Sequence, residues 1–178
     1  MKEEISLFDG MNAEEQTNFF HTIMYVGYKN ELMQYGNERP CSFFNNAWAK
    51  HYEDLISDKD IERFAVISDN TEVGFFIVRS GESAKKLGVD YYIEDVYLFP
   101  DYRGRGIMKK FAKAFFKKHS GRYGMELIGE NKNATRFWCS VIVDNEWEKI
   151  PKTWRGETKV FYFRKGKPMN RKLEERSK

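Results

Sequence analysis

The sequence predicts a single α/β (α+β) domain, a mixed sheet with helices on its faces. Three observations carry that expectation. Strand-like and helix-like periodicities alternate along most of the 178 residues, a length that can bury a real core in one domain. Turn residues separate the segments at short intervals, with no repeat or low-complexity block between them. Apolar residues make up 41% and charged residues 32%, as in soluble globular proteins. The resulting order is β-α-α-β-β-β-α-β-α-β-β.

Each element has a local reason. Ile5 and Leu7 alternate with polar neighbours in a first strand over 3–8. Asn12 and Glu15 have the spacing of a capping box, and Phe19, Phe20, Ile23, Met24 and Tyr28 follow at helical spacing, giving a helix over 13–33. Gly36, Asn37 and Pro40 mark a loop. A second helix, Asn46–Ile56, puts Trp48, Tyr52 and Leu55 on one face.

Val, Ile and Phe then make strands of 63–68 and 73–79, with the Asp-Asn-Thr-Glu run 69–72 as their turn. Residues 81–90 form a polar connection. A strand over 91–99 stops at Pro100. The next helix sets Ile107, Met108, Phe111, Ala112 and Phe115 on one stripe, opposite Lys109, Lys110, Lys113 and Lys117. After a strand at 125–129, Asn131 introduces a helix with Ala134, Phe137, Trp138 and Val141 inward. Strands at 147–154 and 158–164, turning at Arg155, Gly156 and Glu157, close a domain spanning 1–166; residues 167–178 are a charged tail.

No run approaches the 18 or so apolar residues of a membrane span, and the N-terminus is acidic where a signal peptide is basic. Cys41 and Cys139 form no metal-type spacing with His21, His51 or His119, so no metal is expected and a reducing cytoplasm is. The net charge of +3 hides an asymmetry: residues 1–100 hold 9 Lys/Arg against 18 Asp/Glu, whereas 101–178 hold 21 against 9. The basic half is suited to an anion and the acidic half to a cation.

Between the strand at 91–99 and its helix lies Asp-Tyr-Arg-Gly-Arg-Gly, residues 101–106. Such a turn delivers backbone N–H groups to a helix N-terminus, where the dipole also favours anions, and Arg103 and Arg105 add fixed charge. A Walker loop would need Gly-x-x-x-x-Gly-Lys-Ser/Thr, which is absent. A dinucleotide fingerprint needs a third glycine where Lys109 stands.

Arg103-Gly104-Arg105-Gly106-Ile107-Met108, following Leu98-Phe99-Pro100, resembles the Arg/Gln-x-x-Gly-x-Gly/Ala motif of the GNAT superfamily of acyl-CoA-dependent N-acyltransferases. Asn131-x-x-Ala134-x-x-Phe137-Trp138 is similar to a second segment of that family, in the right order, and the resemblance extends over about residues 3–164. It implies a mostly antiparallel sheet whose central strands splay apart to admit acetyl-CoA, the acyl donor. Carried over by position, the N–H groups of Arg103, Gly104, Arg105, Gly106, Ile107 and Met108 hold the pyrophosphate. The backbone of Leu98 and Phe99 meets the pantetheine arm and the thioester carbonyl, and Asn131 and Phe137 border it. Met108 departs from the family's Gly or Ala, and Trp138 from its usual tyrosine.

The resemblance further implies direct transfer of the acetyl group to a primary amine. Glu94 is the expected base, with Asp95 in reserve; regular alternation would put Glu94, Val96 and Leu98 on one face and Asp95 and Tyr97 on the other. The proton donor is left open among Tyr92, Tyr97, Tyr162 and water, and Cys139 reads as a small core residue. The acceptor is expected to meet Tyr35, Glu38, Phe43, Phe44 and Trp48, and residues 154–157. Acids and aromatics together suit a small cationic molecule or a peptide. An RNA-attached or ribosomal-protein amine, reached through the basic tail, is an alternative, as is a silent acyl-CoA-binding module; otherwise neither nucleic acid nor membrane is an expected partner, and a homodimer is allowed.

Overall fold

The structure, a computed structural model, describes residues 13–35, 46–143, 147–149, 153–155 and 158–165. They fall into two compact units, Met1–Lys59 and Asp60–Lys178. The expected first strand, the Asn12 cap and the loop at Gly36, Asn37 and Pro40 lie outside the described residues.

In the first unit, α1 (Ala13–Leu32) runs into a short 3-10 turn at Met33–Tyr35, and α2 (Asn46–Ile56) has the predicted bounds. The helices meet through Tyr25 and Tyr52, both buried, with ring centroids 4.8 Å apart. Met24, Tyr25, Val26 and Tyr28 form the buried face of α1, whereas Phe20, expected on the apolar stripe, is 39% exposed.

In the second unit, a seven-stranded sheet runs β1-β2-β3-β4-β7-β5, with β6 also paired to β7. The strands are β1 (Ile61–Ser68), β2 (Thr71–Arg79), β3 (Tyr91–Leu98), β4 (Gly121–Ile128), β5 (Trp147–Lys149), β6 (Thr153–Arg155) and β7 (Thr158–Lys165). Every pair is antiparallel except β3–β4. That pair is parallel because a helix, α4 (Ile107–Lys118), carries the chain back between its strands. The helix α5 (Lys132–Val143) follows β4.

Two local details differ from the expectation. The β1–β2 turn needs only Asp69 and Asn70, whose φ of 50° and 60° are the left-handed values of a two-residue hairpin, so Thr71 and Glu72 belong to the strand. The polar connection contains a short helix, α3 (Gly81–Lys86). Its first turn is held by a distant residue: the Asp60 carboxylate accepts the Ser83 N–H at 2.9 Å, an approach that Gly81 permits because a Cβ there would lie 2.7 Å from Asp60 Oδ1. Of the strand expected at 147–154, the described residues Trp147–Lys149 and Thr153–Arg155 are both paired to β7, and 150–152 lie outside the described residues.

A core lies on one sheet face, where Val66, Phe76, Val78, Ile93 and Leu98 meet Met108, Ala112, Phe115 and Phe116 of α4 and Trp138, Val141 and Ile142 of α5. Phe116, outside the predicted stripe, is 1% exposed and packs against Tyr123.

Two features of β3 set the geometry of the sheet at its centre. Val78 pairs with Ile93 but Ile77 with Asp95, so Glu94 is the extra residue of a β-bulge. On the other side, pairing of β3 with β4 ends at Ile93 and Met125, while β3 stays with β2 as far as Leu98. The two central strands therefore part company just beyond Ile93, as the resemblance implied.

Candidate functional site

The glycine turn is shaped by conformation rather than by crowding. Gly104 and Gly106 have φ of 74° and 75°, left-handed values that glycine adopts without strain, and a Cβ at either would meet nothing within 4 Å. Gly106 is the N-cap of α4 and brings no side-chain acceptor to the helix start. The Arg103 N–H is committed to the Pro100 carbonyl at 3.0 Å, which removes it from the expected set. The N–H groups of residues 104–108 find no acceptor among the described residues. Five donors at and before a helix N-terminus are thus left without an acceptor among the described residues, an arrangement that favours a polyanion.

The two arginines are placed differently. Arg105 is exposed with its guanidinium 5.4 Å from the Tyr102 ring centre, beside the open N–H groups in sequence. Arg103 turns back: its Nε donates to the Leu98 carbonyl at 2.8 Å, and its guanidinium lies 5.4 Å from the Tyr97 ring centre. Met108, where a small residue was expected, sends its side chain into the core at 7% exposure. It contributes only backbone to the turn.

Backbone direction along β3 follows from one hydrogen bond. The Phe99 N–H donates to Val73 of β2 at 2.9 Å, and the Phe99 carbonyl accepts from Tyr102 at 3.0 Å. Both polar groups of Phe99 are thus spent within the protein, contrary to the role expected for it. Alternation turns the groups of Leu98 and Val96 the other way, toward the side that β4 has left. An extended ligand bearing amides could continue the sheet there. Val96 was not among the predicted residues, although the alternation of an antiparallel strand was enough to nominate it.

The bulge changes which residues share a face. Ile93, Val96 and Leu98 all belong with the core under α4 and α5. Asp95 and Tyr97 stand opposite Ile77 and Phe75 on the other face, as expected. Glu94 does not join Val96 and Leu98: its Oε1 accepts from Nε of Arg79, whose cross-strand neighbour is Tyr92. One extra residue resets a period of two, so regular alternation misplaced this side chain. Arg79 went unnoticed in the sequence because nothing local couples it to Glu94.

At the far end of the opening, Asn131 is the N-cap of α5. Its Oδ1 accepts the Ala134 N–H at 3.0 Å, leaving Nδ2 as its remaining donor. Phe137 is half-buried against the core, and Trp138 is 3% exposed within it, 6.2 Å from Phe76. Trp138 is therefore packing. Tyr97 is 8% exposed among Phe75, Phe99 and Arg103, and Cys139 is partly buried against the core. The side chain of Tyr162, and the acceptor region from Glu38 to Phe44, lie outside the described residues. No group of three or more His, Cys, Asp or Glu suited to a metal occurs among the described residues, and no helix among them is long and apolar enough to cross a membrane.

A run of uncommitted donors at a helix start, an opened strand edge and a tethered carboxylate can together hold a phosphorylated, amide-bearing donor and take up a proton. Solved structures of this architecture include an acetyltransferase from Thermus thermophilus (TM-score 0.58, 16% identity, 82% of this chain and 87% of that one). An N-acetyltransferase from Staphylococcus aureus is similar (0.53, 14%, 83% and 94%). So is a GNAT-family acetyltransferase from Streptococcus agalactiae (0.56, 13%, 88% and 93%). At these identities the likeness is one of fold. No curated protein matches the sequence. A profile of the Acetyltransferase (GNAT) family matches residues 29–140, which include the glycine turn, the bulged strand and the Asn131 cap. The chain belongs to the GNAT acetyltransferase family and is an acyl-CoA-dependent N-acetyltransferase.

Proposed function

We infer that the chain transfers the acetyl group of acetyl-CoA directly to a primary amine of a small cationic molecule or a peptide, with residues 1–166 as the catalytic domain. The observation that carries this reading is the run of N–H groups at 104–108 with no acceptor among the described residues, following the strand that parts from β4. Those donors, with Arg105, take the pyrophosphate. The pantetheine amides pair with the β3 edge at Val96 and Leu98, displacing Arg103 Nε from the Leu98 carbonyl, and Asn131 and Phe137 border the arm.

Acceptor attack needs a neutral amine. Glu94 removes the ammonium proton, the amine nitrogen bonds to the thioester carbon, and charge gathers on the carbonyl oxygen. A backbone N–H on the opened edge, that of Leu98, stabilises this oxyanion. Collapse breaks the C–S bond and expels the CoA thiolate, and the second proton lost from the nitrogen passes through water to that thiolate, leaving the neutral amide and CoA thiol. A carboxylate that also attracts an ammonium suits a cationic acceptor.

Free-thiol release across a panel of polyamines, aminoglycosides and peptides, with acetyl-CoA binding followed by titration calorimetry, tests the assignment. Glu94→Gln should retain acetyl-CoA affinity and lose roughly 10²- to 10⁴-fold in kcat, the usual contribution of a positioned base. Wild-type turnover in that variant would remove Glu94 from the reaction.

A further inference from the structure

We propose that Arg79 is a positioning residue for Glu94, fixing the carboxylate that the bulge would otherwise leave to wander; this rests on the assignment of Glu94 as the base. A bulge residue has no ladder partner, and a glutamate adds three side-chain torsions, so its carboxylate has freedom that catalysis cannot use. Arg79 removes much of that freedom. It is the last residue of β2 and pairs with Tyr92, two positions before Glu94, so its guanidinium crosses the bulge to reach the carboxylate.

The contact has a useful asymmetry. Nε of Arg79 meets Oε1 at 2.5 Å, and Oε2 has no partner among the described residues. One oxygen is thus anchored while the other stays available to a proton. Both side chains are 21% exposed, open enough for an acceptor to arrive yet sheltered enough for the pair to hold its geometry better than a surface ion pair does. Arg79 also sets a limit on the acceptor, because an ammonium approaching Glu94 meets a cation already in place. Its removal therefore affects turnover and acceptor affinity in opposite senses.

A double-mutant cycle decides the matter, using Arg79→Ala, Glu94→Gln and their combination, with kcat, acceptor KM, acetyl-CoA affinity and thermal midpoint measured for each. Arg79→Ala should lower kcat about 10- to 100-fold. Acetyl-CoA affinity should hold and acceptor KM should stay level or fall. Arg79→Lys should recover part of the rate, and in the Glu94→Gln background Arg79→Ala should cost nothing more. Independent, additive losses would overturn the proposal, as would a fall in acetyl-CoA affinity matching the fall in kcat, which marks a damaged sheet. If Glu94→Gln turns over normally, the base assignment itself fails. If Glu94→Gln is slow but Arg79→Ala is not, only the positioning role fails. Should Arg79→Ala not fold, Arg79→Met keeps the length of the side chain but removes the N–H donor and should show the same kcat loss at wild-type acetyl-CoA affinity; a wild-type rate there would reject the proposal.

Discussion

Tyr123 shows how much a single residue contributes to the sheet beneath the site. Its side chain is fully buried, stacked at 5.1 Å on Tyr91 and edge-on to Phe116 at 4.9 Å, and its hydroxyl donates to the His119 carbonyl at the end of α4. Burial, reinforced by Tyr91 and Asp90, pushes its phenol well above the usual tyrosine range. The neutral form is thus favoured in the folded state. The associated stability is complete below the unfolded value near 10 and is lost as pH rises above it. Tyr123→Phe should cost about 1 kcal/mol at neutral pH through the lost hydrogen bond, and denaturant curves between about pH 9 and about pH 11 should fall less steeply for the variant. Equal slopes for the two proteins would show that Tyr123 does not govern the alkaline limb.

At the scale of elements, the turn before α4 was legible because all its determinants are local. Pro100 ends a strand, two glycines supply left-handed φ, and the helix stripe begins at once. Gly106→Ala should therefore cost roughly 1 kcal/mol from backbone strain, since space for the methyl group exists, and should raise the KM for acetyl-CoA several-fold as the turn relaxes. Denaturant midpoints and steady-state kinetics check both parts; an unchanged KM would mean that the left-handed cap is not needed for the donor. The α3 helix was not legible, because the carboxylate that caps it comes from Asp60, 23 positions before Ser83. The side of the sheet on which Glu94 lies was hidden for a similar reason. Its bulge exists only in the pairing of β3 with β2, and no pattern within residues 91–99 announces it.

Across the whole chain, charge is unevenly divided. Residues 101–178 carry 21 basic against 9 acidic side chains, and the turn proposed to take the pyrophosphate lies in that half. Raising salt from about 50 mM to about 300 mM should raise the KM for acetyl-CoA, because exposed charges such as Arg105 are screened over a few ångströms at the higher value. A KM independent of salt would assign recognition to the backbone N–H groups alone. The order of strands and helices was recoverable from periodicity over most of the described residues, α3 excepted, whereas the point at which β3 leaves β4 depends on tertiary pairing and had to come from family resemblance.

The surplus residue in β3 also bears on chain length. Between Val78 and Ile77 on one strand there is no intervening position, while Ile93 and Asp95 on the other are separated by Glu94. Excising that single residue would leave a ladder more regular than the natural one, with every remaining neighbour still matched. The proposed reaction would then lose its base, and Arg79 its ion-pair partner. At this point in the polypeptide, a more orderly strand and the proposed base are alternatives, and β3 has the extra residue.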